Sequence, residues 1–368
     1  MNVLITGANG FIGKNLISVL EENKAYKIIK FTRDHGITTL ENKIKNAEFI
    51  IHLAGINRAK NKKLFWEVNN DLTEIICNLL KKYSIQIPIL FSSSVQVQLN
   101  NEYGLTKLSA EEHLKELNNT NSNPILIYRL PGIFGKWCKP NYNSVVATFC
   151  YKIANNLEPK LIDKNKEITL AYIDDLIKSF IQNLNKNYSG INYLDINQKY
   201  NITISDLAKT IRKFKESRDN LLIDKIGLGL TKKLYATYLS YLPCKEFSYS
   251  LKKHSDKRGD FVEILKTKES GQFSYFTAEP GISRGGHYHH TKCEKFLVID
   301  GQAKFKFKNI ITEKLFEKVT SSDKPEIVES IPGWSHEVEN ISSDNLIVLV
   351  WANEIFDKQN PDTFQRKL

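Results

Sequence analysis

Apolar and polar positions change rhythm well past the middle of this chain. In the first part, short apolar runs recur at Asn2–Thr6, Tyr26–Phe31, Glu48–Leu53, Ile87–Ser92 and Ile125–Tyr128. Between several of them apolar residues return at helical spacing, as in Lys14–Glu22 and Asp71–Tyr83. Such alternation predicts parallel βαβ units, an α/β doubly wound sheet of the Rossmann type covered on both faces. Lys160–Asp206 keeps the mixed character and reads as a smaller lobe. After Pro243 the helical rhythm fades. Short alternating runs follow at Gly259–Leu265, Gln272–Thr277, Lys295–Ile299, Ala303–Lys308, Glu326–Ile331 and Leu346–Trp351, punctuated by Gly, Pro, Asp and Asn. They predict a small all-β barrel or jelly roll. A boundary near Cys244–Phe247 gives domains 1–243 and 247–368, with no internal repeat and no long linker.

Composition narrows the class. A chain of 368 residues, 41% hydrophobic and 25% charged, exceeds one ordinary core and suits a soluble globular protein. No apolar run approaches the roughly 18 residues that span a bilayer, so no membrane insertion is expected. The chain opens on a strand rather than a cleavable apolar leader. Its five cysteines are scattered and show no CxxC spacing, which fits a reduced, cytoplasmic protein. From Phe247 to Leu368 basic and acidic residues balance at 18 each, so the first 246 residues hold 34 basic against 23 acidic and the whole net charge of +11. That excess suits an anionic ligand such as a dinucleotide or a nucleotide-sugar diphosphate; a Lys- and Asn-rich composition bias produces the same balance. With no arginine cluster or aromatic-interleaved basic stripe, nucleic acid is not expected.

The first candidate chemistry lies at the first turn. Gly7-Ala8-Asn9-Gly10-Phe11-Ile12-Gly13 follows a strand and opens a helix, where glycines let the backbone approach a pyrophosphate and free N–H groups face it. The cofactor's 2′ position meets the tip of the second strand. An acidic residue there suits NAD, and an arginine suits the NADP phosphate. Thr32-Arg33 stands at the tip with Asp34 one step beyond, which points to NADPH, with a solvated Arg33 as the alternative. Further on, Tyr103 and Lys107 fall one turn apart on a helix. A nearby ammonium favours a phenolate, so Tyr103 is expected to have a lowered pKa and to move protons near neutral pH. Ser94, at the end of Leu90–Ser94, supplies a hydroxyl facing that tyrosine.

These residues resemble the extended short-chain dehydrogenase/reductase family over about residues 1–240. Also matching are His52-Leu53-Ala54-Gly55, Asn69, Arg129-Leu130-Pro131-Gly132 and Tyr172-Ile173-Asp174-Asp175-Leu176. The resemblance implies that Ser94 and Tyr103 contact a substrate carbonyl or alcohol and that Lys107 holds the nicotinamide ribose. It places Gly7, Asn9, Gly10, Phe11, Ile12, Gly13, Arg33, Leu53, Ala54 and Gly55 around the cofactor and points to a nucleotide-sugar substrate. Asp174 or Asp175 would anchor the fold, and His52 would serve the core or cofactor shelf. The stretch Lys136-Trp137-Cys138-Lys139 reads as a diphosphate or uridine contact.

The second candidate site is a histidine cluster. Gly281, His287, His289, Glu294 and Gly301 are answered by Pro332, Gly333, His336 and Asn340. Histidines two apart face one side of a strand, Glu294 returns on the adjoining segment and His336 arrives from a later strand. Three imidazoles and a carboxylate suit a divalent metal, with zinc the default and Mn, Fe and Ni sharing such ligands. His290 has the wrong parity, and Cys293 reads as core. The spacing resembles the cupin superfamily, whose barrels often pair through their sheets, implying a homodimer. Asp256–Phe261 and Ser283–Tyr288 resemble its deoxysugar 3,5-epimerase branch, in which the histidine after Arg-Gly is a base beside a 4-keto group. His287 is therefore a ligand by spacing and a base by resemblance, and both readings stay open.

The pairing resembles bifunctional nucleotide-sugar enzymes of capsular polysaccharide and O-antigen synthesis. It implies a UDP-linked 4-keto-6-deoxy amino sugar, epimerised at C3 by the second half and reduced at C4 by the first. A reductase with a structural cupin, or a non-catalytic sensor binding nucleotide sugar or NADP(H), are the alternatives.

Overall fold

The computed structural model describes residues 1–58, 61–256, 259–262, 264–267, 271–354, 357 and 359–368. Lys257 and Arg258 of the Asp256–Phe261 motif lie outside the described residues; the strand expected over Gly259–Leu265 is described over Gly259–Val262. Contacts group the chain into two compact units, Met1–Ser144 with Ile168–Asn201, and Val145–Glu167 with Ile202–Leu368. Residues 160–206, expected as one lobe, are thus divided between them. Among the described residues no helix is long and apolar enough to cross a membrane, and all five cysteines are free.

The first unit carries a six-stranded parallel sheet. Strands β1 (Asn2–Thr6), β2 (Lys27–Phe31), β3 (Phe49–His52), β4 (Ile89–Ser94) and β5 (Ile125–Leu130) follow one another in the chain. Their spatial order is β2-β1-β3-β4-β5, extended by Ile191–Leu194. The order reverses between β1 and β3, and ligands of doubly wound sheets bind at the carboxyl ends beside such a reversal. Strand β4 is buried at every position, as a strand covered on both faces must be. Leu80 from helix Leu72–Lys82 and Leu114 and Leu117 from helix Glu102–Asn121 join Ile50, Phe91 and Ile127 in one core.

In the second unit, helices Val145–Ala154, Ile204–Asn220 and Gly229–Leu239 pack on one another. Phe214 and Tyr235 meet edge to face at 5.2 Å. Two five-stranded sheets follow, beside two small two-stranded ones. One sheet runs Ser248–Ser250, Glu326–Glu329, Glu294–Asp300, Leu346–Ala352, Gln272–Ala278. The other runs Leu315–Ser321, Gln302–Asn309, Trp334–Asn340, Ser283–Tyr288, Phe364–Gln365. Phe296 of the first lies 5.6 Å from Phe305 of the second, ring to ring. A buried ion cluster joins a helix to these strands. Glu329 takes Lys295 on one oxygen and Arg218 on the other, while Arg218 stands 4.5 Å above the Tyr249 ring, whose hydroxyl accepts from Lys295 at 3.0 Å.

Candidate functional site

Helix Glu102–Asn121 positions the tyrosine and lysine. Asn101 caps it by accepting the Gly104 N–H at 2.9 Å. A Cβ at Gly104 would stand 2.1 Å from the Gln96 carbonyl oxygen, so glycine lets the first turn seat against the short helix Val95–Gln98 that follows β4. Tyr103 thereby reaches Ser94, whose side chain hydrogen-bonds it and accepts the Gln96 N–H at 3.1 Å. The three serines of β4 divide their work. Ser92 donates to the His52 carbonyl at 3.2 Å, Ser93 donates to buried Glu111, and Ser94 faces the phenol. Lys107 is buried, donates to the Ser92 carbonyl at 2.8 Å and lies 4.5 Å from the Phe91 ring centroid. Burial pulls its ammonium down to about 8, against the opposing pull of Glu111.

Tyr103 departs from expectation. Burial raises its pKa, and the Ser94 hydrogen bond only offsets part of that rise. The Lys107 ammonium is spent on the Ser92 carbonyl and the Phe91 face, so it does not hold the phenolate. Lys136 departs too. It is buried and paired with Asp174 at 2.8 Å, so it does not face a diphosphate, and of the two candidate anchors Asp174 is the one that holds it.

The cofactor-side residues converge at the reversal of strand order. Helix α1 (Phe11–Leu20) starts from Gly10 with no side-chain cap, leaving first-turn N–H groups for an anion. A Cβ at Gly13 would come within 2.5 Å of the Gly7 carbonyl oxygen, so the turn closes only as a glycine cradle. Both features fit a dinucleotide pyrophosphate. Leu53, Ala54 and Gly55 extend from β3 beside this turn, held by a relay that sequence reading missed. Thr73 donates to the Asn69 carbonyl at 3.0 Å, so it must accept from His52 Nε2, 2.9 Å away. His52 Nδ1 is then bare and accepts the Thr6 hydroxyl at 2.6 Å. Thr6 Oγ1 in turn accepts the Leu53 and Ala54 N–H groups at 3.2 and 3.1 Å. His52 stays neutral, its pKa pulled to about 3 by burial and by Lys107. Asn69, in the one-turn π-helix Trp66–Asp71, grips Ile56 through both main-chain groups and donates to Thr106 at 3.2 Å. The cofactor loop is thereby tied to the tyrosine helix. Arg33 lies exposed on the turn after β2, where His35 N–H donates to the Thr32 carbonyl at 3.2 Å.

The four expected metal ligands come together: one ligand atom each of His287, His289, Glu294 and His336 lies within 4.8 Å of the others. A β-bulge makes this possible. Gly285 stands opposite Glu337 and His287 opposite His336, so Gly286 is an extra residue. In an unbroken ladder His287 would face Ser335 and point to the other side of the sheet. Gly285 (φ 114°) and Gly286 (φ 70°) take the backbone angles this demands. The rings of His287 and His336 then lie 4.8 Å apart and those of His289 and His336 5.2 Å apart. Phe296 and Phe307 supply apolar walls beside His336.

The donor set suits a cation. His289 Nδ1 bonds the Asp362 carbonyl, which can only accept, so Nδ1 carries a proton and Nε2 is the nitrogen that can serve as a ligand. Nε2 lies 3.0 Å from Glu294 Oε2, and His336 Nε2 lies 3.3 Å from the same oxygen. Burial opposes ionisation of Glu294, yet positive charge and hydrogen bonds from His289 and His336 hold its carboxyl well below the usual range. Burial, with His336 and His289, pulls His287 down to about 4. A divalent metal would take over the positive charge that this carboxylate faces and bind the imidazoles in their neutral form. His290 does not join the group, nor does Cys293, whose thiol is buried and donates to the Thr291 carbonyl at 3.5 Å.

The model of the NAD dependent epimerase/dehydratase family matches residues 3–202. The chain belongs to that family. Membership in the epimerase/dehydratase family brings a nicotinamide cofactor, the group that the Gly7–Gly13 cradle fits. A polysaccharide biosynthesis C-terminal domain matches residues 254–364. A Pseudomonas aeruginosa protein named UDP-2-acetamido-2,6-beta-L-arabino-hexul-4-ose reductase is 47% identical over 364 residues, covering 99% of this chain and 98% of its own. The crystal structure of the capsular polysaccharide assembling protein CapF from Staphylococcus aureus matches with TM-score 0.67 and 40% identity, over 100% of both chains. A UDP-glucuronic acid 4-epimerase from Bacillus cereus in complex with NAD matches 59% of this chain and 84% of its own at TM-score 0.52 and 22% identity, a likeness of fold. This epimerase/dehydratase family member therefore has the expected architecture, a Rossmann-type half followed by a strand-rich half of the CapF kind.

Proposed function

We propose that the chain is a bifunctional nucleotide-sugar enzyme acting on UDP-2-acetamido-2,6-dideoxy-4-hexulose. Residues 247–368, as a cupin, epimerise C3. Residues 1–243 reduce the C4 ketone with NADPH, giving UDP-2-acetamido-2,6-dideoxy-L-talose on the way to UDP-N-acetyl-L-fucosamine. The carrying observation is that Ser94, Tyr103 and Lys107 converge in one unit while four metal-type ligands converge in the other. The names of the Pseudomonas relative and of CapF support the same substrate class and capsule role.

In the reductase, Ser94 orients the C4 oxygen and Tyr103 gives it a proton. A raised phenol pKa keeps that proton on Tyr103 until negative charge develops on the ketone oxygen. Lys107 reaches the nicotinamide ribose, and the Arg33 guanidinium meets the 2′-phosphate. In the cupin half, the 4-keto group acidifies the C3 hydrogen. A base removes that proton from one face, and a proton returns to the other. His287 is the candidate base as well as a candidate ligand. His289, Glu294 and His336 hold a divalent metal, with zinc favoured by the donor set. When bound, NADPH supplies the hydride and the metal supplies positive charge near the enolate oxygen.

Purified protein incubated with the 4-keto sugar in D2O is expected to place deuterium at C3 and to oxidise NADPH. Neither event occurring would sink the proposal. The relative's name specifies reduction alone, so NADPH oxidation without C3 exchange would establish a reductase with a structural second half. Tyr103→Phe should abolish reduction and spare exchange. His287→Asn should abolish exchange; retained metal would mark a base, and lost metal a ligand.

A further inference from the structure

Every main-chain N–H from His290 to Cys293, the turn between ligands His289 and Glu294, is taken by a side chain from elsewhere in the unit. The Asp362 carboxylate accepts the N–H groups of His290 at 2.8 Å and of Thr291 and Lys292 at 2.6 Å, with the Thr291 hydroxyl at 2.8 Å. Asn353 accepts the N–H of Cys293 at 2.9 Å. The same Asp362 presents its main-chain carbonyl to His289 Nδ1. Its neighbour Thr363 accepts from the Lys292 ammonium at 3.0 Å, and that ammonium lies 3.4 Å from Glu294 Oε1, the oxygen turned away from the histidines. Gln365 pairs with His287 in the sheet, and the Arg366 N–H donates to the Gly286 carbonyl at 2.8 Å, at the bulge.

From this convergence we infer that Asp362 is the positioning residue of the metal centre, and that segment 362–366 sets the ligand geometry in advance of the metal. The inference rests on the metal reading proposed above. Its carboxylate fixes the turn, the fixed turn aims its carbonyl at His289, and the carbonyl dictates which His289 nitrogen can serve as a ligand. A segment that merely covered the site would bond the turn without orienting a ligand. Outer contacts of this kind are worth about 10- to 100-fold in metal affinity.

The test compares full-length wild type, Asp362→Ala and Asp362→Asn. Zinc release to a chromogenic chelator is timed, and the visible absorption of the Co(II)-substituted proteins is recorded. Asp362→Ala should release zinc about 10- to 100-fold faster and change the Co(II) bands, because His289 no longer holds its angle. Asp362→Asn keeps one acceptor oxygen for three N–H donors and should fall between Asp362→Ala and wild type. NADPH binding by the first unit should match wild type in all three. If Asp362→Ala fails to fold, Asp362→Asn decides. Wild-type release and spectrum in whichever variants fold would overturn the positioning role alone. Wild type that takes up neither zinc nor Co(II) would overturn the metal reading and this inference with it.

Discussion

Lys107 is a buried ammonium held by a carbonyl and a ring face rather than by a carboxylate. Its folded pKa near 8 lies below the unfolded value near 10.5. Between those values the unfolded chain binds the extra proton, so the lysine's destabilising effect fades as pH rises through that window. The stability of the cofactor-free protein, relative to Lys107→Met, should therefore climb by about 3 kcal/mol from pH 8 to 10.5, measured by denaturant titration at each pH. A flat difference would show that the ammonium is not desolvated. Arg33 lies exposed on its turn, so its replacement should leave the fold intact. Arg33→Ala should raise KM for NADPH about tenfold and leave that for NADH unchanged, the loss of one charge-assisted contact of about 1.5 kcal/mol. Most candidate residues were legible because their signals are local: Tyr103 and Lys107 share a helix face, and His287 and His289 share a spacing. The supports Thr73, Thr106 and Asp362 were not legible, since each acts across long sequence separation, Thr73 and Thr106 on a side chain and Asp362 on main-chain N–H groups, and leaves no local signature.

At the scale of elements, apolar alternation located most of the strands, but it missed how they are joined. Helix Ile204–Asn220 lies outside the strand pattern, although Ile204, Leu207, Ala208, Ile211 and Phe214 recur along it at helical spacing. What fixes that helix is Arg218, which is buried against Glu329 beside Lys295. Removing the shared anion strands two buried cations. Glu329→Gln should cost about 3–5 kcal/mol, seen as a lower denaturation midpoint for the second unit. Arg212→Ala, which breaks a pair with the exposed Glu158, should cost less than about 1 kcal/mol. Equal effects would contradict the assignment of burial. The tyrosine pKa failed at this scale too, because the spacing that sets Lys107 one turn from Tyr103 says nothing about Ser92, which captures the ammonium.

Over the whole molecule, the positive excess lies in the first 246 residues, on the side of the nicotinamide site, and the balanced remainder carries the histidine cluster. Each ligand should therefore protect its own half. In hydrogen exchange, NADPH at about 100 times its Kd should slow opening around Gly7–Gly13 and Leu53–Gly55 by about 2.7 kcal/mol. Chelation should speed exchange around Ser283–Tyr288 and Trp334–Asn340. Chelation leaving the second region unchanged would remove the metal from the account. The bulge at Gly286 adds one more consequence. It makes the second site a matter of backbone as well as of ligands. A chain with β-branched residues in place of Gly285 and Gly286 would keep every imidazole and carboxylate in order. Yet it could not take the positive φ of the bulge, and an unbroken ladder would set His287 opposite Ser335, on the other face of the sheet. In related chains, the two glycines before the first histidine therefore report a working centre more faithfully than the histidines alone.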